Sequence, residues 1–367
     1  MHCIIIGAGI SGLLCARELI DAGWQITILE RGDVGQEASW AGGGILSPLY
    51  PWRQPEPIQW LSLWSQQRYP QLAESLRQRT GIDPECRRSG MLWLALEDFA
   101  AAVRRCQNQE IPYQGVTSQQ IRQLQPGLAV PPGRHLWIEV IGQIRNPRLL
   151  KALRFELESS GVRLLPRTPV IGWRRDGNRI VAAETPQGPM AADLFIVTAG
   201  AWSGQLHVDG WHPQIRPVKG QMLMIHAVPE LLQIMVQQGD HYLIPRADGR
   251  ILIGSTVEEA GFDKRPTRQA YQRLYRFSLA LLPALADYPV TLHWAGLRPA
   301  APQGIPYIGP HPQLENLFYN CGHFRNGVVM APAAARLLAD LILERTPILD
   351  PAPFLPANRQ SVHADNA

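Results

Sequence analysis

The chain has 367 residues, of which 46 % are hydrophobic and 18 % charged, with a formal net charge of +4. That is an ordinary globular composition, long enough for about two domains, and its scattered Lys and Arg residues argue against a nucleic-acid partner. No apolar stretch reaches the roughly 18 residues of a membrane span, and five cysteines without C-x-x-C spacing argue against a metal site and for a reducing, cytoplasmic compartment.

In chain order, the first thirty residues are the most informative. Cys3 to Ile6 is an apolar run of strand length that enters Gly7, Gly9 and Gly12. A helical pattern follows, and Ile26-Thr-Ile-Leu-Glu30 closes a second strand on an acid. This is a G-x-G-x-x-G pattern in the context of strand, turn, helix and strand, which predicts dinucleotide binding. Gly7 permits the tight turn, Gly9 lets a pyrophosphate approach the backbone, and Gly12 lets the helix pack on the strand. The helix N-terminus offers amides to the phosphates, and Glu30 is placed to hold a ribose hydroxyl.

A nicotinamide-type domain would continue at once with another helix and parallel strand. The chain instead enters a loop with three successive glycines, Gly42 to Gly44. A long helix is predicted over about 59–80, with Trp60, Leu61, Trp64, Leu72 and Leu76 as candidate buried positions. Gly90 to Leu96 reads as a buried strand, followed by helical segments near 97–109 and 117–125. Asn146-Pro147 opens a helix to about Ser160, with Pro in its first turn. Strands near 162–165, 168–174 and 178–185 follow, and Ala192 to Thr198 has the character of a central strand resuming the dinucleotide fold. From about Ile215 to Thr256 the pattern turns antiparallel, with a hairpin about Arg246-Ala-Asp-Gly249. A helix near 266–282, a strand through Thr291–Leu297 and a short strand Leu317–Asn320 lead to Gly322-His-Phe-Arg-Asn-Gly327. A long apolar helix then runs to about Glu344, and the Pro-rich end, 351–367, reads as a tail. Two prepared helix N-termini, one near each end of the sequence, suit FAD.

The motif Gly7-x-Gly9-x-x-Gly12 with Glu30, the loop Ala38-Ser-Trp-Ala-Gly-Gly-Gly-Ile45 and Thr198-Ala-Gly-Ala-Trp-Ser203 resemble the D-amino-acid oxidase superfamily of flavoenzymes. So do Tyr242-Leu-Ile-Pro-Arg246, Trp294-Ala-Gly-Leu-Arg-Pro299, Pro306-Tyr-Ile-Gly309 and Gly322-His-Phe-Arg-Asn-Gly327. The resemblance covers nearly the whole chain in the right order and is greatest to the glycine oxidase branch. It implies an α/β fold: an interrupted Rossmann-like FAD-binding domain (1–50, 140–205 and 315–350) plus an α+β substrate domain with a mainly antiparallel sheet (51–139 and 206–314).

The resemblance further implies that Arg298 grips a substrate carboxylate, that Tyr242 hydrogen-bonds the same group, and that Arg325 lies beside substrate and flavin. Gly7, Gly9, Ile10, Ser11, Gly12, Glu30, Arg31, Ala38, Ser39, Gly43, Gly44 and Ile45 would follow FAD along its length. Val170 would meet the adenosine half, and His323, Phe324, Arg325, Asn326, Gly327, Val328 and Val329 would wrap the flavin ring. Asp240 stands where a relative carries His, and Val257 where it carries Met; both, with Ile45, would line the substrate pocket. The implied reaction is oxidation of glycine, and secondarily of sarcosine and small D-amino acids, by O2, giving 2-oxo acid, ammonia and hydrogen peroxide. Its imine would feed the thiazole of thiamine, and the assembly implied is a homotetramer. The flavin is expected to be non-covalent, because the segment that carries the linking cysteine in sarcosine oxidases has none here. Two alternatives share these residues: a D-amino-acid dehydrogenase that reduces a quinone, and a flavin-binding subunit without turnover.

The chemistry of the residues agrees with this. A planar guanidinium fork binds a carboxylate bidentately, and hydride transfer to a flavin demands positioning more than a protein base.

Overall fold

Six strands form the sheet that the N-terminal run predicts. In the computed structural model, which describes residues 1–208 and 210–363, they lie in the order Tyr307–Pro310, Leu317–Cys321, Leu194–Val197, His2–Ile6, Gln25–Leu29, Arg163–Leu165. Neighbours pair in parallel except at the edge, where Tyr307–Pro310 runs antiparallel to Leu317–Cys321. The strand His2–Ile6 is buried on both faces, with the alternation that a period of two dictates. Cys3 and Ile5 pack under the helices Ile10–Ile20, Glu56–Thr80, Asn146–Ser159 and Gly327–Ile342. Ile4 and Ile6 face the other way, against Ile180 and Ala183 of a small antiparallel sheet formed by Gly172–Asp176, Arg179–Thr185 and Gly188–Ala191.

The second large sheet has eight strands in the order Val290–Ala300, Arg216–His226, Arg250–Gly254, His241–Pro245, Met235–Gln238, Met91–Leu94, His135–Ile138, Gln114–Val116. It is antiparallel apart from the pairing of Met235–Gln238 with Met91–Leu94. The Asp-Gly hairpin forms as expected, with Gly249 at φ +81° and its N–H donating to the Arg246 carbonyl.

Four local readings change. The strand expected over 168–174 begins only at Gly172: Pro166 and Pro169 cannot donate to a ladder, so 168–171 crosses the sheet edge as a loop tied by Thr168 N–H to the Glu30 carbonyl. The strand His135–Ile138 lies in a stretch to which the sequence reading assigned no element. On the helix Glu56–Thr80, Leu61, Leu72 and Leu76 are buried as expected, but Trp60 and Trp64 are only half-buried. Ser62 and Ser65 take the inner positions, because small side chains let this helix approach the alanine-rich Gly327–Ile342; the Ser65 hydroxyl accepts from Ala333 N–H at 2.9 Å. Finally, the segment expected as a tail is docked. Phe354 is fully buried in the helical core, and the Arg359 guanidinium donates to the Pro302 and Pro306 carbonyls while lying 4.2 Å from the Tyr307 ring centre. Residues 364–367 of that segment lie outside the described residues.

No helix among the described residues is long and apolar enough to cross a membrane.

Candidate functional site

A cavity of about 570 Å³ opens along the ends of the parallel strands. Its lining includes Gly7, Gly9, Ile10, Ser11, Glu30, Arg31, Ala38, Ser39 and Val170, and, from the far end of the sequence, Arg298, His323, Phe324, Arg325, Gly327 and Val328. Residues about three hundred positions apart meet because Leu194–Val197 lies beside the first strand and Leu317–Cys321 lies beside Leu194–Val197. The helix that starts at Ile10 has Gly9 as its N-cap and no side chain bonding its first turn as a cap, although Ser39 Oγ accepts from Ile10 N–H at 3.0 Å. Glu30 does more than line the cavity: its carboxylate accepts from the Ala8 and Gly32 amides, each at 2.8 Å, and so staples the glycine turn to the second strand. Gly12 does not line the cavity. A Cβ there would stand 2.0 Å from the Gly7 carbonyl oxygen, so its role is close packing of helix on turn.

A smaller chamber of about 90 Å³ adjoins it, sharing Ala38, Gly42, Arg298, Arg325 and Val328. Gly43, Gly44, Ile45, Tyr242 and Val329 line this chamber, together with Ser47, Leu49, Gly220, Met222 and Ser255. Arg298 is anchored by Nη2 to Ser255 Oγ at 2.8 Å and by Nη1 to the Thr256 carbonyl at 3.1 Å. Its guanidinium presses on Gly220, where a Cβ would come within 2.2 Å of it. Burial pulls Arg298 down to about 10, with Arg325 adding repulsion, and it stays a cation at neutral pH. The Tyr242 hydroxyl meets Met222 Sδ at 4.0 Å, and Arg325 Nη2 is buried with no hydrogen-bond partner. The titratable side chains lining this chamber are Tyr242, Arg298 and Arg325. Two cations without a carboxylate, one carrying an unspent donor, make a receptor for a small anion.

Besides Gly12, three predicted site residues line neither cavity. Asp240 is exposed beside the turn joining Met235–Gln238 to His241–Pro245, Val257 is 48 % exposed past the end of its strand, and Asn326 turns its amide to Gln54 Oε1. A motif does not fix where such positions fall, because their backbone geometry is set by contacts outside it. Conversely, the sequence reading missed Gly220, Met222 and Ser255, which reach Arg298 and Tyr242 only through strand register. Trp202, part of the segment Thr198–Ser203, has a place that the motif does not show: its ring lines the large cavity and stacks under Arg31, whose Cζ lies 4.0 Å from the ring centre.

His323 is buried against the cavity with Nε2 unpartnered, and burial pulls it down to about 4; His311, also buried, is pulled to about 4 as well. Both stay neutral in the fold and take a proton when the chain unfolds below the ordinary histidine range. Their contribution to stability is therefore complete above about pH 6.5 and lost as pH falls toward 4, with His323 alone accounting for on the order of 3 kcal/mol. Urea midpoints should fall between pH 7 and pH 4.5, and the fall should be smaller in His323→Gln; equal falls in both proteins would remove His323 from this account.

The large cavity fits a dinucleotide. It has the volume of a cofactor site, it meets two helix starts without side-chain caps, at Gly9 and at Asn326, and His323 Nε2 and Arg325 Nη2 beside it lack partners. Residues 2–341 match the family described as FAD-dependent oxidoreductase (DAO). The chain belongs to this family of FAD-dependent oxidoreductases. It is 46 % identical to glycine oxidase of Pseudomonas aeruginosa over 97 % of this chain and 98 % of that protein. It is 33 % identical to the bifunctional protein ThiO/ThiG of Synechocystis over 93 % of this chain and 51 % of that longer protein. The crystal structure of glycine oxidase from Geobacillus kaustophilus superposes with a TM-score of 0.91 at 31 % identity, covering 96 % of this chain and 97 % of that one.

For an FAD-dependent oxidoreductase the cysteine in the cavity wall matters. Burial pushes the Cys321 thiol up to about 12, only partly offset by the neighbouring Ser203 hydroxyl, so it is a protonated, poorly nucleophilic thiol at neutral pH.

Proposed function

We propose that this chain is a glycine oxidase, turning glycine, O2 and water into glyoxylate, ammonia and hydrogen peroxide, with sarcosine and small D-amino acids as secondary substrates. The observation that carries the reading is the small chamber. At about 90 Å³, with Arg298 and Arg325 in its wall, it has room for an amino acid with little or no side chain and the charge to hold its carboxylate.

In this reading Gly7, Gly9, Ile10, Ser11, Glu30, Arg31, Ala38, Ser39, Val170, His323, Phe324, Arg325, Gly327 and Val328 hold FAD without a covalent bond, in keeping with the protonated state of Cys321. The loop Gly43 to Ile45 stands between cofactor and substrate. The segments 1–50, 140–205 and 315–350 form the cofactor domain, with 51–139 and 206–314 as the substrate domain. Bound FAD would supply the acceptor for the two electrons and hydrogen leaving the substrate carbon. The protein's own part is positioning. The Arg298 fork and the Tyr242 hydroxyl fix the carboxylate, and Arg325 adds a second cation. No carboxylate or imidazole lines the chamber to take the amine proton, so the amine must bind neutral, a form that two nearby cations favour. The chamber walls keep bulk water from the reacting carbon while the amino acid is held.

The product imine or its hydrolysis product would leave for use elsewhere; the likeness to a bifunctional ThiO/ThiG protein supports thiazole formation for thiamine as its destination. We place the protein in the cytoplasm as a homotetramer. The test is a peroxide assay on the purified yellow protein with glycine in air. One peroxide per oxygen consumed, without an added acceptor, is the expected result. Flavin bleaching by glycine without peroxide would point to a different acceptor, and no bleaching under anaerobic conditions would overturn the reading.

A further inference from the structure

Arg246 has no part in the function described so far, yet it is the most deliberately placed cation in the molecule. It is 5 % exposed and forms no ion pair among the described residues. The acids nearest in charge, Glu85 and Asp248, are both engaged by Arg145 at 3.0 and 2.9 Å. A buried guanidinium without an acid is tolerated only where oriented oxygens meet its donors. Here Nη1 donates to Gln143 Oε1 at 2.6 Å and to the Ile144 carbonyl at 3.1 Å, and Nη2 donates to the Gly43 carbonyl at 2.8 Å.

Those acceptors lie on two adjoining stretches. Gly43 is the centre of the triple-glycine loop. Gln143 and Ile144 run beside it, with Ile144 N–H donating to the Gly44 carbonyl at 2.8 Å and Ile45 bridging Gln143. Asn146 closes the other side of the loop through the Ser39 and Gly42 carbonyls. Arg246 itself directly follows His241–Pro245, the strand that carries Tyr242. That strand faces the loop at close range: a Cβ on Gly43 would come within 2.6 Å of Ile244 Cδ1 and 3.5 Å of the Tyr242 ring. One wall of the small chamber is therefore tied to the opposite wall by a single side chain.

We propose that Arg246 is a positioning residue that sets the separation between the Gly42–Gly44 loop and the strand bearing Tyr242, and thereby the fit of both FAD and the substrate carboxylate. The inference rests on the reading that this loop borders both ligands. A lysine cannot replace it, because one ammonium cannot span acceptors on two stretches with fixed geometry. The structure also supplies a route for testing it. Arg246 lines a third cavity, of about 680 Å³, with Arg87, Arg88, Trp137 and Glu139; Arg88 and Glu139 are exposed, so that cavity reaches solvent. In Arg246→Ala the vacated space would open to it, and a soluble guanidinium could enter.

The experiment measures FAD release from the holoenzyme by flavin fluorescence, and glycolate binding by the shift of the visible flavin spectrum, in wild type, Arg246→Ala and Arg246→Lys. Arg246→Ala should weaken both by at least about tenfold, from three orphaned acceptors and a loosened loop. Methylguanidinium at tens of millimolar should restore a substantial part, while tetramethylammonium at the same ionic strength should not. Arg246→Lys, which keeps the charge and serves if the alanine variant does not fold, should fall between the two. FAD and glycolate binding within about twofold of wild type in either variant, or losses indifferent to methylguanidinium, would overturn the inference. A wild-type protein that neither retains FAD nor responds to glycolate would instead overturn the reading of the site.

Discussion

Arg298→Ala is expected to purify yellow and to lose at least about two to three orders of magnitude in kcat/KM for glycine. Removing one partner of a buried, hydrogen-bonded charge pair costs about 3–5 kcal/mol, and every 1.4 kcal/mol is about tenfold. Arg298 is the anchored cation of the chamber, held by Ser255 Oγ and the Thr256 carbonyl over Gly220. Arg325, with Nη2 unspent, can hold a carboxylate only from another direction. Most of the loss should appear in KM, since the carboxylate is gripped alike in ground and transition states, with a smaller share in kcat from misorientation of the substrate carbon. Arg298→Lys should recover part of the affinity through charge while lacking the fork. FAD should remain, because the turn at Gly7, the Glu30 staple and the Ser39 contact are untouched. Unchanged steady-state peroxide production in Arg298→Ala would remove Arg298 from the carboxylate site.

What was legible in the sequence and what was not divide along the range of the interactions. The glycine turn, Glu30, the Asp-Gly hairpin and the helix after Asn326 could be read because each depends on residues a few positions apart. The inner serines of Glu56–Thr80 could not, since they are buried only by their match to a helix more than two hundred and fifty residues away. The chamber shows the same limit. Arg298 and Tyr242 carried a resemblance, but Ser255 and Gly220 acquire meaning only when the antiparallel register sets Gly220 opposite Gly296 and Met222 opposite Gly254. Gly296 also lets the short helix Ala38–Ala41 come down on the sheet, where Trp294 Nε1–H bonds the Ala41 carbonyl at 3.0 Å. Asp240 and Val257 show the converse: each adjoins in sequence a residue near the chamber, yet lies just outside its strand and lines neither cavity. Glu30 shows that a motif residue can have a role that the motif does not state, because its carboxylate accepts from the Ala8 and Gly32 amides and stabilises the turn itself.

Gly12→Ala should yield a protein that folds with reduced stability and loses FAD affinity by about two orders of magnitude or more. The new methyl would sit 2.0 Å from the Gly7 carbonyl oxygen and 2.7 Å from Thr198 Oγ1. The first is backbone and cannot rotate away. Thr198 is no freer, because its hydroxyl donates to the Ile6 and Gly7 carbonyls at 3.0 and 2.9 Å. Nor can the turn yield: Gly7 is at φ +109°, and a Cβ there would already stand 2.6 Å from the Thr198 carbonyl oxygen. The helix Ile10–Ile20 must therefore move off the strand by an ångström or more. Overpacking of this kind costs about 1–3 kcal/mol of stability. The larger loss should fall on the cofactor, since displaced N-terminal amides no longer meet the pyrophosphate and Ser39 no longer reaches Ile10. Gly172→Ala, whose methyl would meet nothing closer than Glu184 Cβ at 3.8 Å, is the matched control and should stay yellow with an unchanged melting temperature. Flavin absorbance after gel filtration, with thermal melts of both variants, separates the two effects. If Gly12→Ala retains FAD as tightly as the control, the glycine turn is not the pyrophosphate site.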